Sequence, residues 1–313
     1  MTAHPGIGGI RLVFGGNVFG WTIGQDAGFA VLDAFYEAGG RTIDTAEGYS
    51  SWIPGNKGGE SETVIGAWAE SRGVRKDMLI ATKTGMGGPP FALQPEKVAK
   101  ALEGSLERLR TDYVDIYYAH RDDKTTPLDE VVSGYDAVIN AGKARELGAS
   151  NYTAERLAEI TALADKMGAT PYTVLQPKFN LVWRHEYEGA LQDLCVARGI
   201  AVLPYYGLAS GFLSGKFRKP ADLEGSERGY GAGEFANNGG WEMLPVLDAV
   251  AAETGTSPAQ VSLAWLRTQP GIAAPLASAT KPEQLADLIA AASLTLDESQ
   301  TRRLNEALPA RSA

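Results

Sequence analysis

The sequence predicts an α/β architecture, a (β/α)8 TIM barrel with an extended loop region between strands seven and eight and a C-terminal helix. Two observations carry this expectation. Short, nearly continuous apolar runs recur eight times along the chain, the pattern of parallel strands buried on both faces. Segments with helical spacing of apolar residues separate these runs, so strand and helix alternate from end to end, as crossover-linked parallel strands require. A closed barrel of this kind takes about 250 residues. The chain has 313, which reads as one domain over 1–313 with a surplus to place.

The strand candidates are 10–14, 41–44, 78–82, 114–119, 144–149, 172–176, 200–205 and 272–276. Between them, the spacing predicts a helix over 27–38, with Phe29, Leu32, Phe35 and Tyr36 on one face. A second, over 95–109, opens on Pro95 and aligns Val98, Leu102, Leu106 and Leu109. A third, over 129–141, carries Val131, Val132, Tyr135, Val138 and Ile139, with Gly142 as its stop. Ser257-Pro258-Ala259-Gln260 has the form of a capping box with proline at the first helical position, and Thr280-Lys281-Pro282-Glu283 repeats that form. The surplus lies at 207–271. Within it, EGSERGYGAGEFANNGG (224–240) predicts a long surface loop of the kind that covers active sites.

Composition narrows the function classes. Hydrophobic residues make up 44% and charged residues 21%, enough for a large core and unlike a disordered chain. A net charge of −9 argues against nucleic-acid binding, which needs cationic patches. No run of 18 or more apolar residues occurs, so no membrane span is expected. MTAHPGIGG at the N-terminus lacks the pattern of a signal peptide, making the cytoplasm the default location. The single cysteine, Cys195, has no partner for a disulfide or a zinc site and reads as a small buried group near a helix end. No metal site is expected.

In such a barrel, function lies at the C-terminal ends of the strands. Strand two ends in Asp44, with Tyr49 in the loop beyond. Strand three ends beside Lys83, strand four at His120, strand five at Ser150-Asn151, strand six in Gln176 and strand seven in Tyr205. These residue types suit proton transfer to a carbonyl. A free tyrosine titrates near ~10 and is a poor acid or base at neutral pH. A lysine ammonium beside it favours phenolate, and a carboxylate keeps the lysine charged and fixed. Asp44, Lys83 and Tyr49 supply that relay, and His120 can donate a hydrogen bond that orients a carbonyl oxygen. Asp122 and Asp123 read as loop residues with a possible hand in orienting His120, and His185 as a helix-surface residue.

The motifs IDTAEGY (43–49), ATK (81–83), YYAH (117–120), GASNY (148–152), QPKFNL (176–181) and SGFLSGK (210–216) follow one another in order at the ends of the expected strands. Together they resemble the aldo-keto reductase superfamily from about residue 10 to 291. The resemblance implies hydride transfer between NADP(H) and a small carbonyl or alcohol, with NAD(H) less preferred, and a catalytic tetrad of Asp44, Tyr49, Lys83 and His120. It further implies that Ser150, Asn151 and Gln176 hold the nicotinamide carboxamide and that Tyr205 stacks on the ring. Gly16, Asn17, Asp44, Tyr206, Gly207, Leu208, Ser210, Gly211 and Lys216 would line the remainder of the cofactor, with Ser278, Thr280, Lys281 and Gln284 at the adenosine 2′-phosphate, where helical N–H groups favour an anion. Trp21, Trp52, Phe91 and Trp183 are candidates for a substrate pocket above Tyr49 and His120.

Three features depart from the family pattern. Only nine residues precede Ile10, too few for the usual hairpin under the barrel. Tyr206-Gly207-Leu208 stands where Ser-Pro-Leu is common. Thr280 and Leu288 replace an Arg or Ser and an Asn. Two other readings stay open: a cofactor-sensing regulatory subunit with weak reductase activity, and a barrel hydrolase or aldolase using Lys83 as a Schiff base. Asp44 argues against the second, because such a lysine works without a carboxylate partner.

Overall fold

The structure, a computed structural model, describes residues 7–86, 93–226 and 229–308. Eight strands form one parallel sheet: β1 (Val13–Gly15), β2 (Thr42–Asp44), β3 (Leu79–Thr84), β4 (Val114–Ala119), β5 (Ala144–Ser150), β6 (Tyr172–Gln176), β7 (Ala201–Val202) and β8 (Leu276–Ala277). Their order, β7-β6-β5-β4-β3-β2-β1-β8, follows the chain except that β8 returns beside β1. The sheet closes where Val202 bridges Ile272 in parallel and Leu276 N–H donates to the Pro204 carbonyl. The fold is therefore the eight-stranded α/β barrel that the alternating pattern predicts.

Proline explains the two shortest strands. The predicted run 200–205 is ladder-paired only over Ala201–Val202, and 272–276 only over its last residue and Ala277. Pro204 and Pro275 lack the N–H that a continuous ladder uses. Both segments still stand in the barrel wall: Ala273 N–H reaches the Val202 carbonyl and Leu203 N–H the Leu175 carbonyl. At β1 the chain is bent at Ile10, and pairing begins at Val13. Residues 7–9 lie under the barrel, where Gly9 bridges Gly40 in antiparallel fashion and Ile7 packs on the interior cluster. The expected lack of a hairpin concerns residues 1–9, and 1–6 of these lie outside the described residues.

Two apolar layers result. The barrel interior is filled by Val13, Ala81, Ile116, Tyr118, Val174, Leu203, Ala274 and Leu276. The opposite strand faces, with Phe14, Ile43, Ile80, Tyr117 and Leu175, pack against the surrounding helices. Because side chains alternate along a strand, the interior set fixes what comes above it. Lys83 stands two positions past Ala81, His120 past Tyr118, Gln176 past Val174 and Tyr205 past Leu203. Each is thus the next inward position at the C-terminal rim.

The helices are α1 (Gln25–Glu37), α2 (Glu60–Arg72), α3 (Pro95–Leu109), α4 (Leu128–Asn140), α5 (Ala154–Met167), α6 (Ala190–Arg198), α7 (Gly229–Phe235), α8 (Trp241–Thr254), α9 (Pro258–Thr268), α10 (Pro282–Ala291) and α11 (Glu298–Glu306). Ser257 caps α9 by accepting from Gln260 N–H. At α10 the cap is Lys281, not Thr280. Proline favours the first helical position, so the residue immediately before Pro282 becomes the cap.

The glycine-rich 224–240 stretch is not the surface loop expected of it. It holds α7 and a π-turn at Ala236–Gly240, with Ala232, Phe235 and Ala236 buried. A Cβ on Gly240 would stand 2.5 Å from the Phe212 ring, so glycine here permits close packing. Cys195 is buried in α6, and burial pushes its thiol up to about 12. His185 lies in a turn, not on a helix, and packs at a tilt against Trp183, with ring centroids 4.7 Å apart.

Gly148 faces the interior, where an added Cβ would fall 2.4 Å from the Tyr118 ring. Gly148→Ala should lower stability by about 1–3 kcal/mol, the usual cost of overpacking a closed core. Urea denaturation reads this as a reduced midpoint at constant slope, and an unmoved midpoint would show that the interior yields.

Candidate active site

The inward rim positions converge on one buried cation. Lys83 is fully buried, and its Nζ donates to Asp44 Oδ2 at 2.6 Å, to the Thr45 carbonyl at 2.8 Å and to Tyr49 Oη at 2.9 Å. All three ammonium hydrogens are thereby used. Asp44, also buried, accepts in addition from Gln176 Nε2 at 2.8 Å and from Tyr49 Oη at 3.2 Å. β2, β3, β6 and the loop after β2 thus meet in one network. Lys83 belongs to β3 itself, not to the segment after it.

Tyr49 is half-buried and stands at the opening of this network. Its backbone is held by a turn, and the adjacent Ser50 donates from its hydroxyl to the Phe19 carbonyl. Glu47, which the sequence reading left without a role, accepts from Thr84 Oγ1 and Gly85 N–H and so anchors the Tyr49 loop to the end of β3. Its place inside the IDTAEGY motif was the available signal. The His120 ring lies 6.0 Å from the Tyr49 ring, edge to face.

The electrostatics separate the two residues. Burial first, and the neighbouring Asp44 second, push the Tyr49 hydroxyl well above its ordinary value. This reverses the expected downward pull of Lys83 on the resting residue: enclosure outweighs the ammonium, and Tyr49 is a protonated phenol. Burial lowers Lys83, and Asp44 opposes that shift. Burial, then the charges of Lys83 and Arg121, drive His120 well below the usual imidazole range. The ring is therefore neutral, with one N–H to offer, and its Nδ1 has no hydrogen-bond partner among the described residues.

A second layer joins β5, β6 and β7. Ser150 Oγ donates to the Gln176 carbonyl at 2.8 Å, Asn151 Nδ2 to the His120 carbonyl at 2.9 Å, and Tyr205 Oη to Asn151 Oδ1 at 2.6 Å. On one flank, Trp21, Trp52 and Tyr49 form a row with ring centroids 5.6 and 6.3 Å apart. Phe91 lies outside the described residues. Trp183 is set apart from this row, against Lys178 Nζ at 3.5 Å and Phe235 at 5.8 Å.

The remaining candidates lie in the segments that follow β1, β7 and β8. Ser278 Oγ donates to Asn17 Oδ1 at 2.7 Å, and Gly16 approaches Ser61 and the Asp44 carbonyl too closely for a side chain. Gly207 packs on Leu263 and Leu266, Leu208 is half-buried, and Gly211 lies beside the Lys216 amine. Ser50, Asn151, Tyr206, Ala209 and Ser210 are five of the six non-glycine residues with positive φ among those described. Such backbone costs about 1–3 kcal/mol per residue and collects at functional sites. Thr280 departs from expectation: its N–H and its hydroxyl both donate to Gln284 Oε1 at 3.0 Å. Asp122 and Asp123 do not orient His120. Asp122 pairs with Arg156 at 2.8 Å, and Asp123 accepts from Thr125, Thr126 and Leu93.

Comparison with known proteins agrees with this geometry. The chain is 32% identical over 267 residues to a probable voltage-gated potassium channel subunit beta of Oryza sativa subsp. japonica, covering 82% of this chain and 79% of that one. It is 31% identical over 310 residues to an aryl-alcohol dehydrogenase [NADP(+)] of Phanerodontia chrysosporium, covering 92% and 77%. A norsolorinic acid reductase of Aspergillus flavus is 29% identical over 297 residues, covering 91% and 72%. A sequence model described as the Aldo/keto reductase family matches residues 11–309, and this chain, with its buried Lys83 at the barrel rim, belongs to that family of oxidoreductases.

Proposed function

We propose that this protein is an NADP(H)-dependent reductase of small aldehydes or ketones, reversible as an alcohol dehydrogenase, in which Asp44, Tyr49, Lys83 and His120 are the catalytic residues. One observation carries the reading: a buried lysine within hydrogen-bond distance of both a carboxylate and the hydroxyl of a half-buried tyrosine. The likeness to an enzyme named aryl-alcohol dehydrogenase [NADP(+)] supports it.

The residues present fit a nicotinamide cofactor. Ser150, Asn151 and Gln176 place amide and hydroxyl groups beside Tyr205, and the segment 206–216, left-handed at Tyr206, Ala209, Ser210 and Gly211, brings Lys216 as a cation for phosphates. There Gly16, Asn17, Gly207, Leu208, Ser210 and Ser278 would complete the wall. Lys281 at the cap of α10 is the cation for a 2′-phosphate, since Thr280 is engaged by Gln284. When bound, the cofactor supplies the hydride. The protein's share is to hold and move a proton. His120, neutral, donates its N–H to the carbonyl oxygen and fixes it beside Tyr49. Tyr49 turns its hydroxyl from Asp44 and gives the proton to that oxygen. The Lys83 ammonium, 2.9 Å away, stabilises the phenolate that forms. Asp44 and the Thr45 carbonyl keep that ammonium in place.

A second reading, a cofactor-binding subunit of a potassium channel, is favoured by the likeness to the rice protein of that name. Multiple turnovers with a simple aldehyde separate the two.

Three outcomes are expected. Tyr49→Phe should lower kcat by about 10²-fold or more while NADPH affinity is kept, because the lost interaction exists mainly in the transition state. Lys83→Met should match it, and Asp44→Asn should be milder. Native kcat in Tyr49→Phe would sink the mechanism.

The pH profile follows from the two shifts. Reduction needs Tyr49 protonated, a condition lost only as pH rises through its raised pKa, and His120 neutral, a condition lost only as pH falls through its lowered one. The rate of reduction should therefore stay flat from about pH 6 to 9. A fall centred near the ordinary histidine value would show that His120 titrates as if exposed.

Fluorescence titration of the tryptophans tests the cofactor. Tyr205→Ala should weaken NADPH and NADH alike by about 1 kcal/mol, whereas Lys281→Ala should weaken only NADPH. The native protein should prefer NADPH by a modest margin, since no guanidinium fork is present there.

A further inference from the structure

An ammonium carries three donors in fixed tetrahedral spacing, so the acceptors of two of them set where the third points. For Lys83 those acceptors are Asp44 Oδ2 at 2.6 Å and the Thr45 carbonyl at 2.8 Å, and the third hydrogen meets Tyr49 Oη at 2.9 Å. Gln176 steadies Asp44 through Oδ1. The Thr45 carbonyl lies just past the end of β2, and what steadies it comes from outside the barrel.

Side chains alternate along a strand. Asp44 turns inward to Lys83, and Thr45 turns outward to the first turn of α2. Its Oγ1 lies 2.8 Å from Ser61 Oγ, and its N–H donates to the Ala81 carbonyl at 2.8 Å. The Ser61 hydroxyl hydrogen goes to the Gly16 carbonyl at 2.7 Å, so Thr45 is the donor in the hydroxyl pair. Both residues are fully buried. A buried hydroxyl left unpaired costs its full desolvation, which holds the pair together. Thr45 is thereby fixed by its N–H and by its side chain, and the direction of its carbonyl follows.

The same turn of α2 makes a second buried contact. Glu62, next to Ser61, accepts from Thr82 Oγ1 at 2.5 Å and from Arg108 Nε at 2.7 Å. Thr82 ties β3 to α2 but is not one of the three acceptors of the ammonium.

We propose that Thr45 and Ser61 are positioning residues for proton transfer: their hydrogen bond fixes the Thr45 carbonyl, which aims the Lys83 ammonium at Tyr49. The inference rests on the reductase reading above and adds to it two residues outside the tetrad. Their effect falls on the step in which the phenolate forms and leaves the binding of cofactor and substrate alone.

The test follows NADPH oxidation in single turnovers with saturating 4-nitrobenzaldehyde. Thr45→Val keeps the shape of the side chain and removes its hydroxyl. It should lower the rate about tenfold, less than a 1 Å misplacement costs. It should also raise the solvent deuterium isotope effect, because proton transfer then fills more of the barrier. KM for the aldehyde and NADPH affinity, read from tryptophan fluorescence, should stay native. Thr45→Ser, which keeps the hydroxyl, should recover most of the rate. Thr82→Val removes the other buried hydroxyl bond to α2. It should lower the urea midpoint as Thr45→Val does, yet keep the native rate. A native rate and isotope effect in Thr45→Val would overturn the inference and leave the reductase reading intact. So would an equal fall in Thr45→Val and Thr82→Val, the mark of a loosened sheet. If Thr45→Val does not fold, Ser61→Ala removes the same bond from the helix side and is held to the same outcomes. If the native protein turns over neither this aldehyde nor any simple one, the reductase reading falls and the inference with it.

Discussion

The site depends on one interaction, the buried ion pair of Lys83 with Asp44. Taking both charges out of water costs several kcal/mol per ion, and attraction alone repays this only when the remaining hydrogen-bonding capacity is filled. Here it is filled. The ammonium has three acceptors, and the carboxylate has Gln176, Tyr49 and the ammonium itself as donors. Removing one partner would leave an uncompensated buried charge, at about 3–5 kcal/mol. Stability and chemistry therefore share the same atoms. The pair ties three strands together at the rim and at the same time sets Tyr49 against a cation.

Strand alternation explains why such a pair can form at all. An inward position halfway down a barrel strand meets the packed interior, where Ala81, Tyr118 and Val174 lie. The next inward position faces the mouth, where polar groups from neighbouring strands are within reach of one another. Gly148 shows how tightly the layer below is set, since the Tyr118 ring occupies the space of its missing side chain. The interior acts as a floor, and the rim residues stand on it in fixed register.

Much of this was legible in the sequence. The apolar runs marked all eight strands, and for the second to the seventh the residue at or just past the end of the run, Asp44, Lys83, His120, Ser150, Gln176 and Tyr205, stands at the rim. Strand limits were misplaced where Pro204 and Pro275 interrupt the ladder, because a run of apolar residues records burial and not hydrogen bonding. The 224–240 segment was misread because glycine signals both flexibility and close approach, and only its neighbours, Phe212 above all, decide which. The proton states of Tyr49 and His120 were beyond the sequence for a related reason. Lys83 beside Tyr49 could be inferred from order along the chain, but the degree of enclosure that outweighs it depends on three-dimensional packing.

The same packing accounts for the strained backbone beyond Tyr205. Left-handed conformations at Tyr206, Ala209 and Ser210 are costly, and they persist only where their surroundings over-determine them. Asn180 Nδ2 donates to the Tyr206 carbonyl at 2.9 Å, and Gly207 is pressed onto Leu263 and Leu266 of α9. Phe212 is buried beneath Trp241 at 4.9 Å. From the other side, Phe235 of α7 meets the Tyr206 ring at 5.5 Å, and Lys178 pairs with Glu234 at 2.9 Å. The glycine-rich stretch is thus the outer half of a clamp, with α9 as the inner half. Its glycines, Gly231 against Ser210 and Gly240 against Phe212, let the helix approach closely enough to hold 206–211 in a shape that the isolated segment would not keep.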